Sequence, residues 1–204
     1  MAQNIIAIVQ ARMGSTRLPG KVLMKVNGIS LIEILLKRLS QSKKIDKIIL
    51  ATSNNKNNVK LIKHVKSLGF STFSGSENDV LDRFYQAAKL QKAETVVRIT
   101  GDCPLVDPII VDKVIDKYIE HKSDYSSNVD PLSYPDGLDV EVFSFASLKI
   151  ANEKATSSFE REHVTPYIRN NSMCSKSNLL SKVDYSNERW TVDESDDFLV
   201  IKNI

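Results

Sequence analysis

The chain has 204 residues, which fits one α/β domain better than two, so we expect a single domain over residues 1–204. Its 28 Lys and Arg against 25 Asp and Glu leave a formal net charge of +3, which gives no electrostatic case for a nucleic-acid or membrane partner. Cys103 and Cys174 are too few for a disulfide framework or a structural zinc site, which indicates a reducing compartment and a cytoplasmic protein. The apolar run at residues 5–9 is too short to span a bilayer and predicts a buried strand instead.

Short β-branched runs alternate with longer helical stretches in the first hundred residues, which predicts an α/β fold with a mostly parallel sheet. The predicted strands are Ile5–Val9, Lys47–Thr52, Ser71–Ser74 and Thr95–Thr100. Apolar residues at helical spacing predict three helices between them: Leu31, Leu35 and Leu39 within Ser30–Leu39, then Val59, Ile62 and Val65, then Leu81, Phe84 and Ala88.

The second half of the chain is less regular. Its polar, turn-rich segment at 124–135 predicts a mobile loop. The other predicted elements are a helix over Pro108–Ile119, a strand near Val140–Phe143, helices over Phe145–Lys154 and Ser158–Asn170, a loop over Asn171–Asn187, a strand over Arg189–Val192 and a last helix from Phe198, capped by Ser195-Asp196-Asp197. We interpret the shortness of that helix as a sign that the chain has been shortened or is part of a longer fusion protein.

The loop after the first predicted strand is the most informative segment. It contains Gly14 and the three cations Arg12, Arg17 and Lys21. Ligands of open α/β sheets bind beyond the carboxyl ends of the strands, where this loop lies. Glycine lets backbone N–H groups approach a polyanion that the cations neutralise. It is not a Walker A loop, because Val22 follows Lys21. A simple turn with solvated cations would explain any one of these residues, but not three cations in one glycine loop.

Two parts of this loop, Val9-Gln10-Ala11-Arg12 and Leu18-Pro19-Gly20-Lys21-Val22-Leu23, resemble the signature loop of the sugar-acid cytidylyltransferases. That family includes the 3-deoxy-manno-octulosonate and acylneuraminate enzymes, and the spore coat polysaccharide branch is the most similar. The resemblance implies a Rossmann-like nucleotidyltransferase fold with a mixed, mostly parallel sheet, and a homodimer that transfers CMP from CTP to a sugar-like acceptor with Mg²⁺. It also implies that Arg12 and Lys21 hold the triphosphate, and that the stretch from Gln10 to Ser15, with Ala11 and Gly14, lies near the base and ribose. Arg17 is expected at the phosphates from its charge alone.

Carboxylates follow two predicted strands. Asp102 comes after Gly101 at a strand end, where it is placed to bind Mg²⁺, although a lone Asp there is often only a turn former. The similar family segment has its metal-binding Asp at this position, so the resemblance assigns that role to Asp102. By the same resemblance Asp193 supplies a second carboxylate, since Asp196 and Asp197 are typical of a helix start. Arg98 faces either the same pocket or a structural partner.

A second group of residues is predicted on the acceptor side. Asp139 and Glu141 alternate with apolar neighbours on one strand. The resemblance implies a place near the acceptor or the metal, whereas an exposed strand face is the alternative. Arg161 and His163 lie together on a predicted helix, where His163 either orients an acceptor, acts as a base or is structural. The resemblance also places Ser74 at the base pocket, although the arginine expected after Gly75-Ser76 is absent.

Two rival functions use similar features. A glycosyltransferase usually carries an Asp-x-Asp pair, whereas Asp102 is followed by Cys103-Pro104. A non-catalytic nucleotide-binding module should have lost either the loop cations or the carboxylates, and both sets are present. The acceptor stays open between an ulosonic acid, another sugar acid and a polyol phosphate.

Overall fold

The fold is described by a computed structural model that covers residues 3–203. The strands are β1 (Ile5–Gln10), β2 (Lys25–Val26), β3 (Ile29–Ser30), β4 (Lys47–Ser53), β5 (Ser71–Gly75), β6 (Thr95–Thr100), β7 (Tyr125–Ser127), β8 (Glu141–Ser144) and β9 (Lys176–Asn178). The helices are α1 (Leu31–Leu39), α2 (Val59–Ser67), α3 (Val80–Leu90), α4 (Pro108–His121), α5 (Phe145–Lys154), α6 (Ser158–His163), α7 (Pro166–Asn170) and α8 (Ser195–Asn203). Short 3₁₀ turns cover Lys21–Leu23 and Lys56–Asn58.

A mixed sheet of seven strands forms the centre of the molecule, in the order β5-β4-β1-β6-β8-β7-β9. The first four of these strands run parallel, as expected when helices connect them. β8 is antiparallel to β6 and β7, and β9 pairs with β7 in parallel. At its carboxyl end β1 is level with both neighbours, since Gln10 lies beside Ala51 and Thr100. The predicted α/β class with a mostly parallel sheet is confirmed.

Both faces of the sheet are covered by apolar helix faces. One core cluster packs α1, α2 and α4 on the sheet, and the other packs α3, α5 and α7 on the opposite face. Leu31, Leu35 and Leu39 are all buried, as predicted. The prediction for α2 was partly wrong, because Val59 begins the helix and is 46% exposed, whereas Leu61 and Val65 are buried.

The second half departs from the sequence predictions in two segments predicted as loops. Tyr125–Ser127 and Lys176–Asn178 are strands that pair with each other at the edge of the sheet. Both are short and polar, so period-two alternation of apolar residues is not visible in them. Tyr125 is nevertheless buried, and its hydroxyl is satisfied by donating to Glu141 Oε1 at 2.7 Å.

Three element boundaries also differ. The predicted helix Ser158–Asn170 is two helices, since Pro166 has no N–H and cannot continue the preceding turn. Arg189–Val192 is not a strand, and only an isolated bridge joins Arg189 to Asp136. The last helix begins at Ser195 rather than at Phe198, so Asp197 lies in its first turn.

Candidate active site

The glycine-rich loop after β1 is held by its neighbours in a fixed shape. The Met13 N–H donates to Asn58 Oδ1 at 2.8 Å, and Asn58 is itself buried and bonded to the end of β4. The Gly20 N–H donates to the Met13 carbonyl at 3.0 Å. Gly20 has φ 74, a left-handed conformation that glycine adopts without strain. The chain therefore turns back at Gly20 and directs Lys21 inward, where only 8% of it is exposed.

A cleft of about 510 Å³ opens beyond the carboxyl ends of β1 and β6. Of the site residues predicted from the sequence, its walls contain Gln10, Ala11, Arg12, Ser15, Arg17, Lys21, Asp102, Arg161, His163 and Asp193. Within residues 3–203 the other predicted site residues lie outside this lining: Gly14, Ser74, Arg98, Asp139 and Glu141. The structure thus brings together both predicted carboxylates and all three loop cations.

Lys21 is the centre of the charged side of the cleft. Its Nζ lies 3.3 Å from Asp102 Oδ2 and 2.9 Å from Asp193 Oδ1, and it also donates to the Val192 carbonyl at 2.7 Å. Arg17 contacts the same Asp193 oxygen at 2.9 Å. Burial tends to raise the pKa of Asp193, but Lys21, Arg189 and Arg17 outweigh burial and hold this pKa below its ordinary value. Asp193 is therefore an anion at neutral pH.

Close backbone contacts bring the Asp193 segment to Asp102. The Val192 N–H donates to the Asp102 carbonyl at 2.8 Å, and the Thr191 hydroxyl donates to the same oxygen at 3.2 Å. Gly137 makes room for this segment, since a Cβ on Gly137 would lie 2.6 Å from the Thr191 nitrogen. Gly101 has a similar role beneath the loop, where a Cβ would lie 2.6 Å from that of Ala11.

The donor set fits a divalent cation of the magnesium type. One oxygen of Asp102 and one of Asp193 already converge on a single cationic atom, Lys21 Nζ. Mg²⁺ is commonly held by one or two carboxylates, with water and substrate phosphate completing its shell. Within the described residues no group of three His, Cys, Asp or Glu side chains is arranged around one point. The two carboxylates therefore suit a metal that substrate phosphates help to hold.

Arg83 is a cleft residue that sequence reasoning missed. It is 3% exposed, and its Nη1 donates to the Ser76 carbonyl at 2.6 Å. Burial and the nearby Arg12 lower its pKa to about 10. Among residues 3–203 its Nε has no hydrogen-bond partner and its guanidinium no carboxylate partner. An arginine was expected directly after Gly75-Ser76, whereas Arg83 reaches the cleft from the first turns of α3.

Arg161 and His163 line the other end of the cleft from α6. Arg161 Nε donates to both carboxylate oxygens of Asp79 at 3.0 Å, and its Nη1 donates to the Asn152 carbonyl at 2.7 Å. These bonds tie α6 to α3 and α5. The His163 ring packs 4.6 Å from that of Phe159. Directly after it, Val164 has φ 71, an unusual conformation for a β-branched residue.

Arg98, which is partly buried, forms an ion pair with the buried Glu141 outside the cleft lining. Glu141 Oε1 also accepts from the hydroxyls of Tyr125 and Thr165, each at 2.7 Å. Burial alone would raise the pKa of Glu141, but Arg98 and these two hydroxyls hold it below the ordinary value. Arg98 therefore has a structural partner, which was one of its two predicted alternatives. The exposed strand face that was the alternative for Glu141 is wrong, because Glu141 is buried. Asp139 lies nearby, and burial with Asp136 and Glu141 raises its pKa to about 6.

The fold is that of a nucleotidyltransferase. The chain matches the cytidylyltransferase family over residues 6–198 and belongs to that family. It is 43% identical to Uncharacterized protein MJ1063 of Methanocaldococcus jannaschii, over 96% of this chain and 80% of that protein. It is 37% identical to the spore coat polysaccharide biosynthesis protein SpsF of Bacillus subtilis, over 98% of this chain and 85% of that protein.

A solved structure agrees with this assignment. The cytidylyltransferase of Leptospira borgpetersenii serovar Hardjo-bovis is 31% identical and superposes with a TM-score of 0.94, covering 98% of this chain and 85% of that one. The predicted family, the nucleotidyltransferase fold and the enzyme class are confirmed.

None of the helices described within residues 3–203 has the length and the apolar character that crossing a membrane requires.

Proposed function

We propose that the protein transfers CMP from CTP to a sugar acid or related sugar-like acceptor, in a Mg²⁺-dependent reaction that releases pyrophosphate. The observation that carries this proposal is the meeting of Arg17, Lys21, Asp102 and Asp193 in one cleft, with Arg12 on its wall. Membership of the cytidylyltransferase family supports CTP as the donor. The similarity to SpsF, a spore coat polysaccharide biosynthesis protein, supports a role in making a surface polysaccharide or glycan.

The reaction is an in-line displacement at the α-phosphorus. A bond forms from an acceptor oxygen to phosphorus, the bond to the bridging oxygen breaks, pyrophosphate leaves with those electrons, and the acceptor proton passes to a base or to water. Such a transfer requires little covalent chemistry from the protein, so positioning and charge neutralisation supply most of the rate. Arg12, Arg17 and Lys21 would neutralise the charge that grows on the leaving pyrophosphate.

Asp102 and Asp193 would hold the Mg²⁺ ion. When bound, this ion would neutralise phosphate charge as a Lewis acid. The geometry that supports both roles is the sharing of Lys21 Nζ by the two carboxylates.

Gln10, Ala11, Gly14 and Ser15 are proposed to lie near the base and ribose. Two buried atoms on this side of the cleft, Gln10 Oε1 and Arg83 Nε, have no hydrogen-bond partner among the described residues. A buried polar atom left unpaired costs about 1–3 kcal/mol, so a polar ligand that reaches these atoms would be bound favourably. We therefore propose that Arg83 also contacts the nucleotide.

His163 is proposed to orient the acceptor or to take its proton, because it lies on the cleft wall at the end of α6. Arg161 lies beside it, and its bonds to Asp79 and Asn152 suit it to fixing α6 in place. Asp139 and Glu141 lie outside the cleft lining, so neither is proposed to bind the acceptor.

A screen for pyrophosphate release tests this proposal. Each of CTP, ATP, GTP and UTP is combined with Mg²⁺ and, in turn, with 3-deoxy-manno-octulosonate, N-acetylneuraminate and a polyol phosphate. We expect release with CTP alone among the nucleotides, dependent on an acceptor and abolished by a chelator. An excess of CTP of about 100 times Kd should also add roughly 2.7 kcal/mol of stability. Equal thermal shifts from all four nucleotides would contradict CTP as the donor.

A further inference from the structure

Arg189 lies just before the second carboxylate and contacts three acids at once. Its Nη2 is 3.0 Å from Asp193 Oδ2, its Nε is 3.0 Å from Asp197 Oδ1, and its Nη1 is 2.5 Å from Asp136 Oδ2. A guanidinium presents several donors in a rigid planar fork, which suits simultaneous contact with several carboxylates. The three acids come from a turn, an irregular segment and a helix. Arg189 therefore joins three separate parts of the chain.

The contact with Arg189 fixes the orientation of Asp193. Oδ2 of this carboxylate is bonded to Arg189, whereas Oδ1 faces Lys21 and Arg17. Oδ1 of Asp193 is thereby directed toward Lys21 Nζ, the atom that Asp102 Oδ2 also contacts. Carboxylates that bind a metal are commonly held in this way by a hydrogen bond to their other oxygen.

The segment that carries Asp193 has little regular structure of its own to hold it. Asp197 Oδ2 accepts from the N–H groups of Asp193 and Glu194 at 2.8 and 2.9 Å. The Trp190 N–H donates to the Asp136 carbonyl at 2.6 Å. Both acids that make these bonds also contact Arg189. Arg189 therefore lies at the centre of one connected set of contacts that hold Asp193, in addition to the bonds from Val192 and Thr191 to the Asp102 carbonyl.

We propose that Arg189 is a positioning residue for the metal site, which holds Asp193 so that Oδ1 meets the ion that Asp102 shares. This inference rests on the proposed function, which assigns Asp193 to Mg²⁺. Loss of this positioning should weaken metal binding when Arg189 is replaced. An effect of charge alone would instead tighten metal binding on removal of Arg189, because a cation beside the site repels a divalent ion. Replacing Arg189 by Lys keeps the charge and removes the fork, so it separates position from charge.

The test measures the affinity of Mn²⁺, as a probe, by electron paramagnetic resonance, with protein in excess over CTP so that all nucleotide is bound. We expect Arg189→Lys to weaken Mn²⁺ binding about 10-fold, within the 10–100-fold range found for residues that support metal ligands. Arg189→Gln should weaken it as well. The affinity for CTP without metal should stay unchanged in both variants. Arg169→Gln is the control, because Arg169 forms a comparably exposed ion pair with Asp130 at 3.2 Å.

Wild-type affinity for Mn²⁺ in Arg189→Lys would overturn the role of Arg189 alone. So would tighter binding in Arg189→Gln, which would mean that charge decides the affinity. Absence of Mn²⁺ binding by the wild-type protein with CTP would contradict the metal site itself, and with it this inference. A loss of affinity equal to that in Arg169→Gln would show a general effect of removing a surface arginine.

Discussion

The two halves of the chain build the cleft in different ways. The half up to β6 contributes parallel strands and one continuous loop, which carries all three cations within residues 10–21. The second half contributes Asp102 directly after β6, and Asp193 from an irregular segment close to the end of the described chain. The cations thus come from one short loop, whereas the two carboxylates meet only in the folded protein.

Apolar packing holds both halves, and the second half adds a buried polar network. Around β1 and β4 the sheet is covered by apolar side chains, with Ile8 and Leu50 fully buried. In the second half a buried acid, Glu141, joins Arg98, Tyr125 and Thr165 through polar contacts. Hydrogen bonds to charged groups are individually stronger than apolar contacts but depend on geometry. Single substitutions in the second half should therefore alter the position of site residues more than those in the first.

The largest effect is expected from the first half, at Lys21. Lys21→Ala removes a fixed charge that the leaving pyrophosphate would use, so kcat should fall by roughly 10²–10³ at saturating CTP. It also leaves Asp102 and Asp193 beside each other without their shared cation. Steady-state pyrophosphate release measures the effect, and circular dichroism checks the fold. Lys25→Ala, at an exposed position four residues later, is the matched control. Near-normal turnover of Lys21→Ala would mean that the loop is only a turn.

A smaller effect is expected in the second half, at Gly137. This residue has φ 113, and an added Cβ would lie 2.6 Å from backbone atoms of Trp190 and Thr191. Gly137→Ala should therefore lower the free energy of unfolding by about 3 kcal/mol, from backbone strain and overpacking together. It should also displace Asp193, which follows the same stretch of chain. Urea unfolding and Mn²⁺ affinity measure these two effects.

Gly28→Ala provides the control for backbone strain without a clash. Gly28 has φ 84, and no described atom lies within 4 Å of an added Cβ. Its cost should be about 1 kcal/mol, with metal affinity unchanged. Equal losses of stability in the two glycine variants would remove the special role that we give to Gly137.

The smallest effect concerns a buried charge, at Asp139. Burial, with Asp136 and Glu141 adding repulsion, raises its folded pKa to about 6 from the ordinary 3.8. Between pH 4 and 6 the unfolded chain therefore releases this proton while the folded chain keeps it, so stability falls as pH rises. Asp139→Asn should be more stable than wild type by roughly 1–3 kcal/mol above pH 6 and equal near pH 4. Urea unfolding at both pH values tests this, with the exposed Asp184→Asn expected to change little.

Sequence patterns predicted the first half better than the second for a physical reason. β1, β4 and β6 are buried β-branched runs, and α1 and α3 have clear apolar stripes, so periodicity locates them. β7 and β9 are held by polar pairing at a sheet edge, which leaves no apolar period. Arg189–Val192 was predicted as a strand from its composition, but its backbone bonds go to Asp102 and Asp136 instead of a ladder.

The site shows the same division. The cations and Asp102 could be predicted because loop composition and strand ends indicate ligand sites in α/β folds. Asp193 was assigned by the family resemblance, since the segment before it is not a strand. Arg83 and Asn58 could not be predicted, since one lies within a regular helical pattern and the other in a polar turn. Arg98 was predicted to face either the pocket or a structural partner because it lies just before Asp102, and the family resemblance placed Glu141 near the acceptor or the metal. Their mutual pairing depends on the antiparallel register of β6 and β8, which composition does not specify.

A crystal structure with CTP and Mg²⁺ tests the central claim most directly, namely that the two halves meet at one metal and one triphosphate. The account predicts metal–oxygen distances of about 2.1 Å at Asp102 and Asp193, direct or through one bound water. It also predicts Arg12 and Lys21 in contact with phosphate oxygens. An ion held by Asp136 or Asp139, with Asp193 turned away from it, would contradict the account.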